Sequence, residues 1–352
     1  MMSALEQIIL SWFLNAAWEL PVCFFCCWLF LRLVPNLAAG IRHGLWLAAL
    51  SLGFLAPFGA FLGLWGDSKT MSSGLAIGVP ARLNGPGGMR LLVLAFLAPA
   101  LYRAFLLLHG GVAAKRLRRR AIRVDPGILE SVLPKNLLLS MKRHRAQVFS
   151  SGPSTSAWGP FTCGVRHPLI LIPAAFFLPP SRQVLVSVVA HELAHVQRGD
   201  MLLHLLSEFM LVPLAFHPFS YWLRGQLAET REMACDARVS GQILPATDYA
   251  RCLLDVAAAL RDSASPLPAL GISESATLES RIRALISFSS LRGRGLGAWH
   301  KCCLILGAST LFALLFSSGR RTFLWMSAVP EPRIQKLRVP PPPPPPPPPN
   351  RR

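Results

Sequence analysis

The chain has 352 residues, 52% of them hydrophobic and only 15% charged, with a mean hydropathy of +0.43. That balance excludes an ordinary soluble enzyme of this length and points to a chain that spends much of itself in a bilayer. The net charge of +19 does not mark a nucleic-acid binder, because the basic residues gather at the ends of apolar runs, where membrane topology puts them.

The first apolar run, Ile8 to about Leu33, contains Glu19 and Pro21, has no basic segment before it and is too long for a cleaved signal peptide. It reads as a transmembrane helix. Its Cys23-x-x-Cys26 spacing reads as packing, and the eight cysteines, Cys27, Cys302 and Cys303 among them, offer no disulfide framework. A second run covers Leu45 to Trp65, and Arg32, Arg42 and His43 between the two mark a short cytoplasmic loop. Gly66 to Met89 is polar and poor in positive charge, as expected outside. The third run, Leu91 to about Gly111, ends at Lys115-Arg116-Leu117-Arg118-Arg119-Arg120. This basic cluster places itself and the segment after it in the cytoplasm, and it suits anionic lipid better than nucleic acid.

Residues 112 to 300 are then expected to form one cytoplasmic domain. Ile128 to Arg143 reads as helix, and Gln147 to Ser150 and Phe161 to Ile172 as strands punctuated by Gly159-Pro160 and His167-Pro168. The second strand serves either as an edge for an extended peptide or as a plain core hairpin. Next comes His191-Glu192-Leu193-Ala194-His195 in an apolar helical run. Residues four apart share a helix face, so both imidazoles can meet one zinc ion, with Glu192 placed to take a proton from a water the ion activates. Two histidines satisfied by ordinary hydrogen bonds would give the same spacing, so a third ligand is required. Glu229-Thr230-Arg231-Glu232-Met233-Ala234-Cys235-Asp236 supplies one: Glu232 as ligand, Asp236 to orient a ligand histidine, Glu229 as the other candidate ligand. A solvated amphipathic helix is the alternative there.

Between these motifs, Met201 to Leu223 is apolar enough to cross a bilayer. A crossing would strand Glu232 on the side opposite the histidines, so a zinc site demands that the segment turn back. Tyr249 to Leu260 and Leu278 to Leu285 read as helices with Arg251, Arg281 and Arg283 off the apolar face, Ser263 to Ser275 as a loop and Ser287 to Gly297 as a linker. Cys302 to Phe316 would be a fourth span, about 23 Å of helix against a hydrocarbon core of about 30 Å. Pro340 to Pro349 forms a polyproline rod about 31 Å long, a spacer or docking ligand outside the membrane.

The order of spans, the basic segment, Gly159 to Pro173, the His191-to-His195 helix with Arg198 and Asp200, His217-Pro218 and Arg231 to Asp236 resembles the BlaR/MecR family of bacterial membrane metallopeptidases. The resemblance implies a zinc-dependent, gluzincin-type antirepressor: Glu192 as catalytic base, His191, His195 and Glu232 as ligands, cleavage of a DNA-bound repressor and self-cleavage near the last span, here in Ser287 to Gly297. The chain has no Ser-x-x-Lys, so it lacks the nucleophile of the penicillin-binding sensor domain that beta-lactam-sensing members carry.

The expected fold class is therefore a mainly α membrane protein: four transmembrane helices, with an α+β cytoplasmic zinc metalloprotease domain between the third and fourth. Its partners are a protein substrate (a repressor), the lipid bilayer, a periplasmic partner for the proline-rich tail and a second copy of the chain, with no direct nucleic acid. The setting is the bacterial inner membrane, with the N-terminus and residues 319 to 352 external. His217 is a weak candidate for stabilising the oxyanion. A TonB-like envelope or scaffold protein acting through the tail and an HtpX-like quality-control protease are the competing readings.

Overall fold

The computed structural model of the chain describes residues 4–35, 37–58, 86–151, 159–177, 182–262 and 271–289. The expected fourth span, the linker from residue 290 onward, the proline tract and most of the external loop lie outside the described residues. Within them, three helices are long and apolar enough to cross a membrane: Trp12–Leu33, Ala39–Phe58 and Arg90–Arg120. They belong to α1 (Ala4–Leu33), α2 (Ala39–Leu55, continued by a 3-10 turn to Phe58) and α3 (Pro86–Arg120). Two boundaries differ from the sequence-based expectation. Arg42 and His43 are not in a loop but in the opening turns of α2. The basic cluster Lys115 to Arg120 is the last turns of α3, since Gly110 and Gly111 do not break the helix. Gly53 is where α2 crosses α1: a Cβ there would stand 2.8 Å from Leu20 Cδ1.

A four-stranded sheet comes next, in the order β1 (Ile122–Arg123), β2 (Gln147–Ser151), β4 (Leu169–Pro173), β3 (Phe161–Cys163). The central pair β2–β4 is parallel and both outer pairs are antiparallel. Every residue of β4 is buried, which suits its uninterrupted Leu-Ile-Leu-Ile sequence. The single strand expected over Phe161 to Ile172 is two strands, because the chain reverses at Gly164 to Pro168. Gly164 has φ +94°, and a Cβ on it would meet the His167 carbonyl oxygen at 2.7 Å. The helix expected over Ile128 to Arg143 is likewise two, α4 (Pro126–Val132) and α5 (Lys135–Arg143), parted at Pro134, which cannot continue a helix through its missing N–H.

α6 (Arg182–Arg198) is the central helix, buried without a break from Val184 to Ala194. Apart from Ser187, His191 and Glu192 that stretch is apolar on every side, which suits a helix inside the domain. It packs with β2, β4, α5, α8 (Pro218–Gln242), α9 (Ala246–Asp262) and α10 (Gly271–Ser289) around one core that includes Val148, Ile170, Val189, Leu193, Val239 and Tyr249. Gly271 to Ser275, expected in a loop, open α10.

The segment after α6 turns back. α7 (Asp200–Leu211) leads through a 3-10 turn (Pro213–Phe216) into α8, and this hairpin lies against the three long apolar helices. Leu211, Leu214, Leu223 and Leu227 join Phe13, Leu20, Trp46 and Leu50 in a second core. At the hairpin tip Phe216 meets Phe13 and Phe96 edge to face, with centroids 5.2 and 5.1 Å apart. Pro213 and Pro218 lie where helix ends are least costly.

Candidate metal centre

The return of the chain brings α8 beside α6, and with it Glu232 to the two histidines. His191 and His195 lie one turn apart on α6 with their Nε2 atoms 3.2 Å from each other. Glu232 Oε2 is 3.2 Å from His191 Nε2, and Oε1 is 3.7 Å from His195 Nε2. Glu229, on the same α8 face, contacts Gln226 at 3.4 Å and is not one of the clustered groups.

The opposite ring nitrogens are each held by an acid. His195 Nδ1 is 2.8 Å from Asp200 Oδ2, and Asp200 is gripped through both oxygens by Arg198 Nε at 3.1 Å. His191 Nδ1 is 3.2 Å from Asp236 Oδ1 and 2.9 Å from the Tyr249 hydroxyl, which itself donates to Asp236 Oδ1 at 2.7 Å. Arg281 donates to both oxygens of Asp236, at 2.7 and 2.8 Å. Burial would raise the Asp236 pKa, but the Arg281 and His191 hydrogen bonds win and hold it at about 2. Asp200 is likewise below the usual range, since His195 and Arg198 outweigh burial.

Ionised carboxylates only accept, so both Nδ1 atoms carry hydrogen and both Nε2 lone pairs point into the same gap. Two lone pairs 3.2 Å apart repel unless a proton or a cation lies between them. Without a cation that occupant is a proton: burial lowers the His191 pKa, yet hydrogen bonds to Asp236 and Glu232 carry it up to about 10. Glu232 is held well below the carboxylate range, its burial offset chiefly by His191. The donor set fits zinc. Two imidazoles and one carboxylate are zinc's usual ligands, and zinc–nitrogen bonds of about 2.0–2.1 Å in a tetrahedron put donors about 3.3 Å apart.

Glu192 sits in the wall of a cavity of about 700 Å³ that also exposes His191, His195 and Glu232. Thr162 of β3 donates to Glu192 Oε2 at 2.8 Å, so the strand touches the carboxylate directly. His217 is elsewhere: its Nδ1 accepts from the Phe219 N–H and caps α8, and it does not line this cavity. Asp200, Tyr249, Thr162 and Arg281 make contacts here that sequence spacing does not assign. The spacing of α10 predicts Arg281 on the solvent side, yet it is largely buried between Asp236 and Glu232, because α10 packs that face onto α8.

A family model described as BlaR1 peptidase M56 matches residues 89–285, more than half of the chain. The chain belongs to the BlaR1 peptidase M56 family. The match runs from α3 into α10 and contains every residue of the histidine–carboxylate cluster. A search of curated proteins returned no match. Membership in the M56 family implies peptidase activity, and the three long apolar helices agree with a membrane setting.

Proposed function

We propose that the chain is an integral-membrane zinc endopeptidase of the bacterial inner membrane that passes an envelope signal inward by cleaving a cytoplasmic protein, a transcriptional repressor. His191, His195 and Glu232 would hold the ion, Glu192 would be the general base, and Asp236 and Asp200 would fix the two imidazoles. One observation carries the reading: both Nε2 atoms and the Glu232 carboxylate converge on one gap, while each Nδ1 is tied back to a buried acid.

Held by His191, His195 and Glu232, zinc would supply Lewis-acid polarisation of a scissile carbonyl and a water whose pKa is lowered towards about 7. Glu192, steadied by the Thr162 hydroxyl, takes the proton of the attacking water and delivers it to the leaving amine as the C–N bond breaks. β3, at the end of the sheet beside the cavity, gives an extended peptide backbone a strand to pair with. From the basic residues at the Arg32 and Lys115-to-Arg120 ends of the spans, the cavity is read as cytoplasmic and the N-terminus as external. Leu205, Leu206, Phe209 and Trp222 leave the hairpin's outer face apolar and exposed, so the hairpin is read as dipping into the bilayer and returning. The proline tail is read as external, after a fourth span.

The test compares cells making wild type with cells making Glu192→Gln, both checked for equal membrane level and equal zinc. A small DNA-binding protein cut only in the wild type supports the proposal. Identical cytoplasmic proteomes, or a metal-free wild-type protein with full activity, would end it.

A further inference from the structure

His43 is 5% exposed near the start of α2, a helix long and apolar enough to cross a membrane. Its Nδ1 lies 3.2 Å from Thr230 Oγ1 on α8, and the Leu227 carbonyl of α8 stands beside the same ring. Chemistry fixes the direction of this bond. Thr230 Oγ1 is 2.6 Å from the Gln226 carbonyl oxygen, which can only accept, so the hydroxyl hydrogen lies between those two atoms. His43 Nδ1 is then the donor, its hydrogen directed into the Leu227-to-Thr230 turn. The other ring nitrogen, Nε2, is buried and has no hydrogen-bond partner among the described residues. An apolar side chain would fill this place without leaving a polar atom unmatched, so what the histidine adds here is its Nδ1–H.

Two residues beyond Thr230, at about 100° of helix each, Glu232 leaves α8 on the opposite side and faces His191 and His195. His43 therefore bears on the back of the turn whose front carries the carboxylate. Gly40 lies one turn before His43 on the same face of α2, and a Cβ there would be 3.5 Å from Arg198 Nη1. Arg198 grips Asp200, and Asp200 fixes His195. The first turns of α2 thus adjoin both the helix that brings the third ligand and the arginine behind a histidine ligand. We propose that His43 is a positioning residue for the metal centre: by donating Nδ1–H to Thr230 Oγ1 it sets the rotation and depth of α8 at which Glu232 meets the two imidazoles. It touches neither the ion nor a substrate. This role rests on the zinc reading above, and it makes a membrane-length helix part of what shapes the ligand set.

The full chain in detergent, stripped of metal, is titrated with cobalt(II), whose visible d–d bands report the number and geometry of its ligands. His43→Leu should weaken cobalt binding about 5-fold, the worth of one hydrogen bond, and shift the bands. His43→Asn, whose side-chain N–H can take the place of Nδ1–H, should recover both. His43→Gln, whose amide reaches the place of Nε2, should not. Melting temperatures of the metal-free variants are taken alongside: loss of packing alone would lower them and leave the bands where they are. The comparison of His43→Asn with His43→Gln decides the matter even if His43→Leu does not fold. Bands and affinity unchanged in His43→Leu and His43→Gln, or the two amide variants behaving alike, would overturn the proposal while wild type still binds cobalt. A wild type that takes up no metal would end the zinc reading itself, and this role with it.

Discussion

At the scale of single residues, the cluster is held by acids that the ligand motif does not contain. Asp200→Asn keeps the volume but removes the charge that fixes His195, so zinc affinity should fall about 10- to 100-fold, measured by competition with a chromogenic chelator. An unchanged affinity would remove Asp200 from the site. The acid–base chemistry gives a second prediction. In the metal-free protein the His191 pKa is raised to about 10, so the ring is protonated at pH 7 and must lose that proton to ligate. Zinc binding at pH 7 should release about one proton, read from titration calorimetry in buffers of different ionisation enthalpy. The same shift stabilises the metal-free fold fully below His191's unfolded value near 6.5, and the gain fades as pH rises through about 10. For Asp236, depressed to about 2, the gain is present above its unfolded value and is lost only as pH falls through about 2. His191, His195, Glu232 and Asp236 were legible in sequence because helical spacing alone decides which of them share a face. Tyr249 and Arg281 were not, because nothing local says which helix face α8 will cover. The one clue was an arginine beside the apolar stripe of α10.

At the scale of elements, the hairpin is the least expected feature and the most constrained. The sequence demanded that residues 201 to 223 turn back but not how. The answer lies in Glu208, which reads locally as a charge spoiling an apolar run and in fact joins α3 to α8 through Arg103 and Arg224. Removing one member of a buried ion pair costs about 3–5 kcal/mol. Glu208→Gln, which strands the buried Arg103 and also releases the half-exposed Arg224, should therefore lower the melting temperature in detergent more than Arg103→Met, which leaves Arg224 paired. The reverse order would show that the pairs do not hold the hairpin. In α6, Leu193→Ala removes a side chain that is 1% exposed and should cost about 2–5 kcal/mol of stability on denaturant titration. The division of the second expected strand was also within reach of the sequence, since His167-Pro168 already marked a turn. Only the close approach at Gly164 shows why no other residue serves there.

At the scale of the molecule, the two largest cores among the described residues lie one around α6 and the sheet, the other among α1, α2 and the hairpin. Composition announced the membrane part and the motif announced the site. Their junction was hidden, because contacts between distant segments leave no periodic trace in either. Zinc removal should therefore raise hydrogen exchange in α6, α9 and the second half of α8 while leaving α1 and α2 unchanged, which mass spectrometry of peptic fragments can read. α8 belongs to both cores: Leu223 and Leu227 lie in one, Cys235 and Val239 in the other. His43 of α2 contacts it 3.2 Å from Thr230 Oγ1, just before Glu232. One rigid rod therefore carries both the side chains that close the packing of α1 and α2 and the carboxylate that faces the two imidazoles, so the lipid-facing half and the hydrolytic half share a single piece of backbone.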